Sequence, residues 1–208
     1  MLKIVEKINV TFSAAFLVCS LGFVSCATTK GIADTTVYET VTDAVTNSQS
    51  QSLTLGKKVK AELTETNAHV KDYYIEKVPV AIHKIEISEA GNYDLTLKSI
   101  PNGLMAIDQS KKSAVIPNVY LYDSDLNLVQ IKNLYGNAKA PTNTESFLFE
   151  VTGKWTIENP GTYYFVIKPD MSSDTGLTLY INVIGGGSGK QYYKRTRYSK
   201  YKLLIKKN

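Results

Sequence analysis

The sequence contains only two cysteines, Cys19 and Cys26, and two histidines among its 208 residues. Because both cysteines lie near the N-terminus, the rest of the chain has no disulfide to form and must be held by a packed core. Neither an HExxH nor a GxSxG motif occurs. We therefore expect no catalytic residues, no cofactor and no enzymatic activity, and a hydrolase with an unrecognised site is the alternative.

Acidic residues are absent from residues 190–208, which carry eight Lys and Arg residues. The glycine-rich stretch before them ends in Gly-Lys, as a phosphate-binding loop does. However, Ile184 and Gln191 stand where such a loop needs Gly and Ser or Thr. We interpret residues 185–208 as a flexible Gly linker followed by a disordered basic tail.

The apolar run from Ile8 to about Val24 is short for a membrane-spanning helix. It follows Lys3 and Lys7 and ends in Val24-Ser25-Cys26, which is the layout of a secretory signal. The junction resembles the lipobox of bacterial lipoproteins, in the looser form found in spirochaetes, because Phe23 stands where Leu is usual. This resemblance implies a signal peptide over residues 1–25 and acylation of Cys26. Ordinary cleavage after Cys26 and an uncleaved anchor are the alternatives.

A lipoprotein of this kind would sit in the bacterial cell envelope, held at the outer membrane on its periplasmic face or at the surface. Two or more buried acyl chains, at about 0.8 kcal/mol for each methylene, give stable retention. Residues 26–52 are rich in Thr, Ser, Ala, Asp and Gln, so we expect a lipidated tether that can include one short helix or strand at 35–45.

From Leu53 onward, apolar and polar residues alternate in short runs that turn residues separate. In GTYYFVIKP, for example, Tyr163, Phe165 and Ile167 share one face. Eight or nine such strands without a long amphipathic helix predict an all-β fold, an antiparallel β-sandwich of jelly-roll type over residues 53–184. An N-terminal signal helix and disordered tails would flank it.

Several runs resemble the bacterial pre-peptidase C-terminal domain, a small β-sandwich of secreted proteins. They are LTLGKKVKAEL, KDYYIEK (with Asp72, Tyr73 and Tyr74), HKIEI, NVYLYDSD, NPGTYYFVI and LTLYINV. Among these runs, the segment from Pro160 to Tyr164 is the most characteristic of the family. Members of this family often accompany secreted peptidases as accessory or binding modules, so the resemblance implies a non-catalytic module.

Tyrosine is abundant, with 14 residues, and alternation places four of them on the phase opposite to the predicted core. These are Tyr120, Tyr122, Tyr164 and Tyr180. Either both sheet faces are partly covered, or these side chains form an exposed aromatic face that binds carbohydrate or a host matrix protein. Trp155 is expected to anchor the core edge.

The remaining polar candidates have structural explanations. His69 lies in a polar stretch and is expected in a loop, whereas His83 is in phase with Ile85 and Ile87 and is expected in a strand near the sandwich interior or rim. Asp123 and Asp125 begin like a calcium loop, but the required Gly and Glu are Leu128 and Leu134. A hairpin turn explains this pair better, so no metal is assigned, and calcium at Asp123 and Asp125 is the alternative.

The basic tail supplies the last candidate binding residues. After export, its accessible partners would be anionic lipid, envelope polysaccharide or another envelope protein, and no nucleic acid is expected. A merely solubilising tail is the alternative. The leading hypothesis is therefore an envelope lipoprotein that presents a non-enzymatic binding or scaffolding module, and the candidate polyanion-binding residues are Lys194, Arg195, Arg197, Lys200 and Lys202.

Overall fold

The computed structural model describes residues 34–103, 112–138, 149–173, 177–183 and 187–208, and these form fifteen strands and one short helix. The elements are β1 (Val37–Tyr38), α1 (Val41–Asn47), β2 (Gln51–Leu53), β3 (Val59–Leu63), β4 (His69–Lys71), β5 (Lys77–Pro79), β6 (Ala81–Ile87), β7 (Gly91–Ile100), β8 (Ser113–Ala114), β9 (Pro117–Tyr122), β10 (Lys132–Ala138), β11 (Phe149–Ile157), β12 (Gly161–Pro169), β13 (Leu177–Val183), β14 (Gly187–Arg195) and β15 (Ser199–Lys207).

Two sheets enclose the main hydrophobic core. The first has five antiparallel strands in the order β10-β11-β7-β15-β3, and the second has the order β2-β6-β12-β9. Within the second sheet only the β2–β6 pair is parallel. Side chains from both sheets fill the space between them. The predicted all-β fold, a largely antiparallel β-sandwich, is confirmed.

Strict alternation along the strands builds this core. In β12, Tyr163, Phe165 and Ile167 point into it, as the sequence predicted. Trp155 of β11 stacks on Tyr93 of β7 with ring centroids 5.6 Å apart and meets Phe165 edge-on at 5.1 Å. Trp155 is only 1% exposed, so it lies within the core and ties one sheet to the other.

A second apolar cluster covers the outer face of the four-stranded sheet. Val166 of that sheet packs with Ala44 and Val45 of α1 and with residues of β4 and β5. The helix begins at a capping box in which Thr40 and Asp43 bond to each other's backbone N–H groups. Residues 34–52 therefore belong to the folded body, which corrects the expected tether at these positions, while the short helix or strand expected at 35–45 is present as β1 and α1. The helix buries only Ala44 and Val45, and two apolar residues are too few for a sequence pattern that predicts packing on the sheet.

The expected basic tail is corrected most strongly. Residues 199–207 form β15, which lies inside the five-stranded sheet and pairs with β7 on one side and β3 on the other. Tyr201, Leu203 and Ile205 are buried in the core. Three lysines and Leu204 occupy the opposite phase, and the lysines give the segment the composition of a solvated tail.

The expected Gly linker is corrected in the same way. Residues 187–189 begin β14, which pairs antiparallel with β13 and parallel with β8. Tyr193 of β14 is fully buried. Across the ranges that the structure describes, no helix has the length and apolarity to cross a membrane. The predicted signal peptide and Cys26 lie outside these ranges.

Candidate functional site

The predicted aromatic face is present but covered. Tyr120, Tyr122 and Tyr164 lie on the outer face of the four-stranded sheet, as alternation predicted, and pack in the second apolar cluster. Tyr122 is only 9% exposed. Tyr180 lies in β13, a strand of another sheet. The four tyrosines therefore do not form one exposed surface, and the alternative in which both sheet faces are partly covered describes the structure.

The five predicted polyanion-binding residues are also separated. Lys200 and Lys202 lie in β15, while Lys194 is exposed on β14. Arg195 donates from Nη1 to the Asp170 carboxylate at 3.2 Å and to its backbone oxygen at 3.1 Å. Arg197 approaches the carbonyl oxygen of Lys77 at 3.5 Å. Only Lys200 and Lys202 therefore share a surface suited to a polyanion.

That surface is the outer face of the five-stranded sheet, which we call the basic face. Lys60 of β3, Lys202 of β15 and Lys98 of β7 stand directly opposite one another on adjacent strands. Strand spacing of about 4.8 Å places the three Cα positions across roughly 10 Å. The basic face also contains Lys132, Lys154, Lys200 and Lys206, against the acidic residues Glu62, Asp94 and Glu150.

The row of three lysines is electrostatically unfavourable within the fold. Like charges that face each other across strands destabilise a sheet. Glu150 on β11 relieves one end of the row, because its carboxylate lies 3.3 Å from Lys98 Nζ. Lys202 lies between two cationic neighbours, so the sheet positions positive charge at a cost to its own stability.

A polar groove of about 370 Å³ lies where the second apolar cluster ends. Its walls come from the β4–β5 turn, from the ends of β9 and β12, and from the loop after β12. Asn118 and Lys168 stand opposite each other on β9 and β12 and replace the apolar residues found farther along both strands. The groove is further lined by Asp72, Tyr74, Tyr120, Asp170 and Met171.

An ion pair between Asp72 and Lys168 crosses this groove. Lys168 Nζ lies 2.6 Å from Asp72 Oδ2, and the two side chains are 17% and 5% exposed, respectively. Asp72 Oδ1 also accepts the backbone N–H of Tyr74 at 3.0 Å. Burial raises the pKa of Asp72, but the hydrogen bonds from Lys168 and Tyr74 outweigh it and the pKa is lowered. The carboxylate is therefore ionised and fixed.

Asp170 supplies a second carboxylate and is likewise paired. Its Oδ1 accepts the backbone N–H of Ser172 at 3.0 Å, and its Oδ2 pairs with Arg195. Burial raises the pKa of Asp170, while the bonds from Ser172 and the charge of Arg195 lower it more. Each carboxylate of the groove thus has a cationic partner, and neither is a vacant metal ligand.

The histidines and the calcium candidates have structural roles. His69 lies in β4, opposite Pro79 of β5, and is buried, which corrects its expected place in a loop. Burial and the charge of Lys77 lower the pKa of His69. His83 lies in β6, as expected, and of the two expected places it occupies the interior rather than the rim.

Asp123 organises a turn, the explanation that the sequence favoured. Its Oδ1 accepts the backbone N–H groups of Asp125 at 3.0 Å and Asn127 at 2.8 Å, beside Leu126 in the left-handed region with φ 63°. Among the described residues, no group of three or more His, Cys, Asp or Glu side chains is arranged to hold a metal ion.

Comparisons with known proteins give similarities in structure. No protein-family model and no curated protein matches the sequence. Among solved structures, the chain is similar to the pre-peptidase C-terminal domain of a collagenase from Bacillus anthracis, at 12% identity and a TM-score of 0.37. The match covers 76% of this chain and 94% of that one. The fold assignment rests on the strand pairing described above.

Sequence reasoning missed both the basic face and the groove. The signal for the basic face was present, since Lys200, Lys202 and Lys206 alternate with Tyr201, Leu203 and Ile205. The lysine row also depends on the register of three distant strands, which no local pattern contains. The groove combines the Asp72–Tyr74 turn with Lys168. Because these residues lie far apart in the sequence, no local pattern predicts that they meet.

Proposed function

We propose that this protein is a non-enzymatic binding module of the bacterial cell envelope, and that its basic face binds a linear anionic polymer. The observation that carries the proposal is the register of Lys60, Lys202 and Lys98 on adjacent strands. This row costs stability and is not needed for packing, so binding is a sufficient reason for it. The burial of both histidines supports a role without catalysis.

The distribution of charge favours a polymer over a flat membrane surface. The lysine row forms a stripe, whereas the row that contains Lys206, Asp94, Lys154 and Lys132 mixes both signs. Between these rows lies a neutral row of Leu204, Thr96, Thr152 and Tyr135. A chain of sulfates, phosphates or carboxylates can follow the stripe, while a planar anionic bilayer would also meet the acidic residues.

Attachment to the envelope is the second part of the proposal and rests on residues 1–26. Acylation of Cys26 would hold the folded body beside envelope polysaccharide. Metabolic labelling with a palmitate analogue tests the anchor, and we expect label on the intact chain and none on Cys26→Ala. Label that persists in Cys26→Ala would refute the anchor without touching the binding proposal.

The binding test compares Lys202→Glu with Lys194→Glu, because both change the net charge equally and only Lys202 lies in the row. Dextran sulfate serves as the polymer, and its affinity is measured by titration calorimetry at low and high salt. We expect a loss of at least about tenfold with Lys202→Glu, because the charge reversal removes an attraction of about 1 kcal/mol and adds a comparable repulsion, and 1.4 kcal/mol is a factor of ten. Lys194→Glu should change the affinity less than about threefold, because β14 lies outside the five-stranded sheet and salt screens charges that are distant from the row.

Stability separates loss of binding from loss of fold. Lys202→Glu places a carboxylate between Lys60 and Lys98, so the free energy of unfolding should rise by about 0.2–1 kcal/mol. Weaker binding by a more stable variant supports the proposal. Equal losses in both variants, no binding of dextran sulfate, or binding only to vesicles containing phosphatidylglycerol would overturn it.

A further inference from the structure

We propose that the groove between the β4–β5 turn and the end of β12 binds a neutral saccharide unit, with Tyr74 as its stacking platform. This site is separate from the basic face, since none of the groove's lining residues lies on the five-stranded sheet. The proposal therefore stands independently of polymer binding by the lysine row.

Charge balance in the groove favours a ligand without formal charge. Its two carboxylates, on Asp72 and Asp170, are paired with Lys168 and Arg195. A charged ligand would have to compete with one of these pairs, which are only partly exposed. Hydroxyl groups can instead accept from Lys168 and donate to the remaining lone pairs of Asp72, so both charges stay paired.

The aromatic residues of the groove favour a ligand that has an apolar face. Tyr74 lines the groove and is 58% exposed, while Tyr120 is partly buried against the second apolar cluster. The bond from the Tyr74 N–H to Asp72 Oδ1 fixes the turn that presents the Tyr74 ring. An exposed tyrosine beside fixed polar groups suits a ligand with one apolar face and polar edges, which is the chemistry of a sugar ring.

Asn118 completes the polar side of the groove. Asn118 stands opposite Lys168 on the neighbouring strand and adds an amide, which is both a donor and an acceptor, to the lining of the groove. The volume of about 370 Å³ lies at the lower end of the range for small-molecule sites, which is about 300–1,000 Å³. The groove thus suits one or two sugar rings, such as the end of a glycan or a short section of one.

The adjacent tyrosine provides a matched control. Tyr73 is 94% exposed and does not line the groove, although its ring meets that of Tyr74 edge-on with centroids 5.2 Å apart. Truncation of either exposed side chain should leave the fold intact. Tyr74→Ala removes the proposed platform, whereas Tyr73→Ala removes an identical and more exposed ring at the same turn.

The experiment is a ¹H–¹⁵N NMR titration of the folded protein with four neutral disaccharides: maltose, cellobiose, lactose and N,N′-diacetylchitobiose. We expect at least one to shift the amide signals of Asp72, Tyr74 and Asn118. Tyr74→Ala should weaken its binding about tenfold, and Tyr73→Ala should alter it less than about threefold, on the scale where a factor of ten is 1.4 kcal/mol.

The same titrations can also contradict the saccharide proposal. The proposal fails if none of the four sugars shifts the groove signals, if the shifts lie elsewhere, or if Tyr73→Ala and Tyr74→Ala weaken binding equally. Groove shifts caused only by a charged short peptide would assign the site to peptide binding and would also refute it. Lys202→Glu should leave sugar binding unchanged, so failure of either proposal can be recognised separately.

Discussion

His83 on β6 and Tyr201 on β15 form a buried hydrogen bond between the two sheets, with 2.6 Å between His83 Nε2 and Tyr201 Oη. Both side chains are almost completely buried, at 1% and 3% exposed. Burial lowers the pKa of His83 to about 4 and raises that of Tyr201, so both groups are neutral at physiological pH. This hydrogen bond lies among apolar side chains and holds the two sheets in a fixed relative position.

Substitution of one partner of this pair should cost more than substitution of both. Tyr201→Phe leaves the His83 Nε2 buried without its partner, and His83→Phe does the same to the Tyr201 hydroxyl. We expect each single variant to lose about 1–3 kcal/mol in the free energy of unfolding, measured by urea denaturation. The double variant should lose less free energy of unfolding than the sum of the two single losses. Strictly additive losses would contradict an interaction between the two groups.

Protonation of His83 should make the fold sensitive to acid. The unfolded chain binds a proton at this residue near pH 6.5, whereas the folded chain does so only near pH 4. The contribution of His83 is therefore complete above pH 6.5 and is lost as pH falls toward 4, to a total of about 3 kcal/mol. His69, whose pKa is also lowered, acts in the same direction.

The double variant His83→Phe/Tyr201→Phe separates the two histidines in that measurement, because it keeps His69. Urea denaturation at pH 7 and pH 4.5 should show a larger acid-induced loss for the original protein than for the double variant. Identical pH profiles would show that His83 does not control the acid response.

The sandwich core was predictable because each strand carries its own pattern. Tyr163, Phe165 and Ile167 alternate within one strand, and local spacing is enough to assign them to the core. The role of β15 was not predictable from composition. A strand whose outer phase is mostly lysine has the charge of a disordered tail, and only its inner phase of Tyr201, Leu203 and Ile205 distinguishes the two.

The candidate sites depend on contacts between distant segments. Asp72 and Lys168 are nearly a hundred residues apart in sequence, yet they form one ion pair in the groove. The alternation that placed Tyr120 and Tyr164 outside the main core was correct, but α1 and the β4–β5 hairpin cover that face. Short sequence patterns establish which face a residue occupies and contain no information about what packs over it.

The neighbouring leucines of β15 test its position as a core strand. Leu203 is 1% exposed, whereas Leu204 points to the basic face and is partly exposed. Leu203→Ala should lower the free energy of unfolding by about 2–5 kcal/mol, because it opens a cavity in the core. Leu204→Ala should cost less than about 1 kcal/mol. If this segment were a solvated tail, urea denaturation would give no difference between the two variants.

Gly153 of β11 provides the last test, because its hydrogen side chain leaves room for residues that pack over the end of the core. A Cβ at this position would lie 2.5 Å from Ile131 Cγ2 and 3.2 Å from Leu134 Cδ1. Gly153→Ala should therefore lower the free energy of unfolding by about 1–3 kcal/mol through overpacking.

Gly161, at the start of β12, is the matched control, since a Cβ there would meet nothing within 4 Å. Gly161→Ala should leave the free energy of unfolding unchanged or raise it by up to about 1 kcal/mol, because alanine restricts the unfolded chain. Thermal and urea denaturation of both variants give the comparison. A Gly153→Ala protein as stable as Gly161→Ala would mean that Ile131 does not pack against β11, and the contact that closes this end of the sandwich would have to be reassigned.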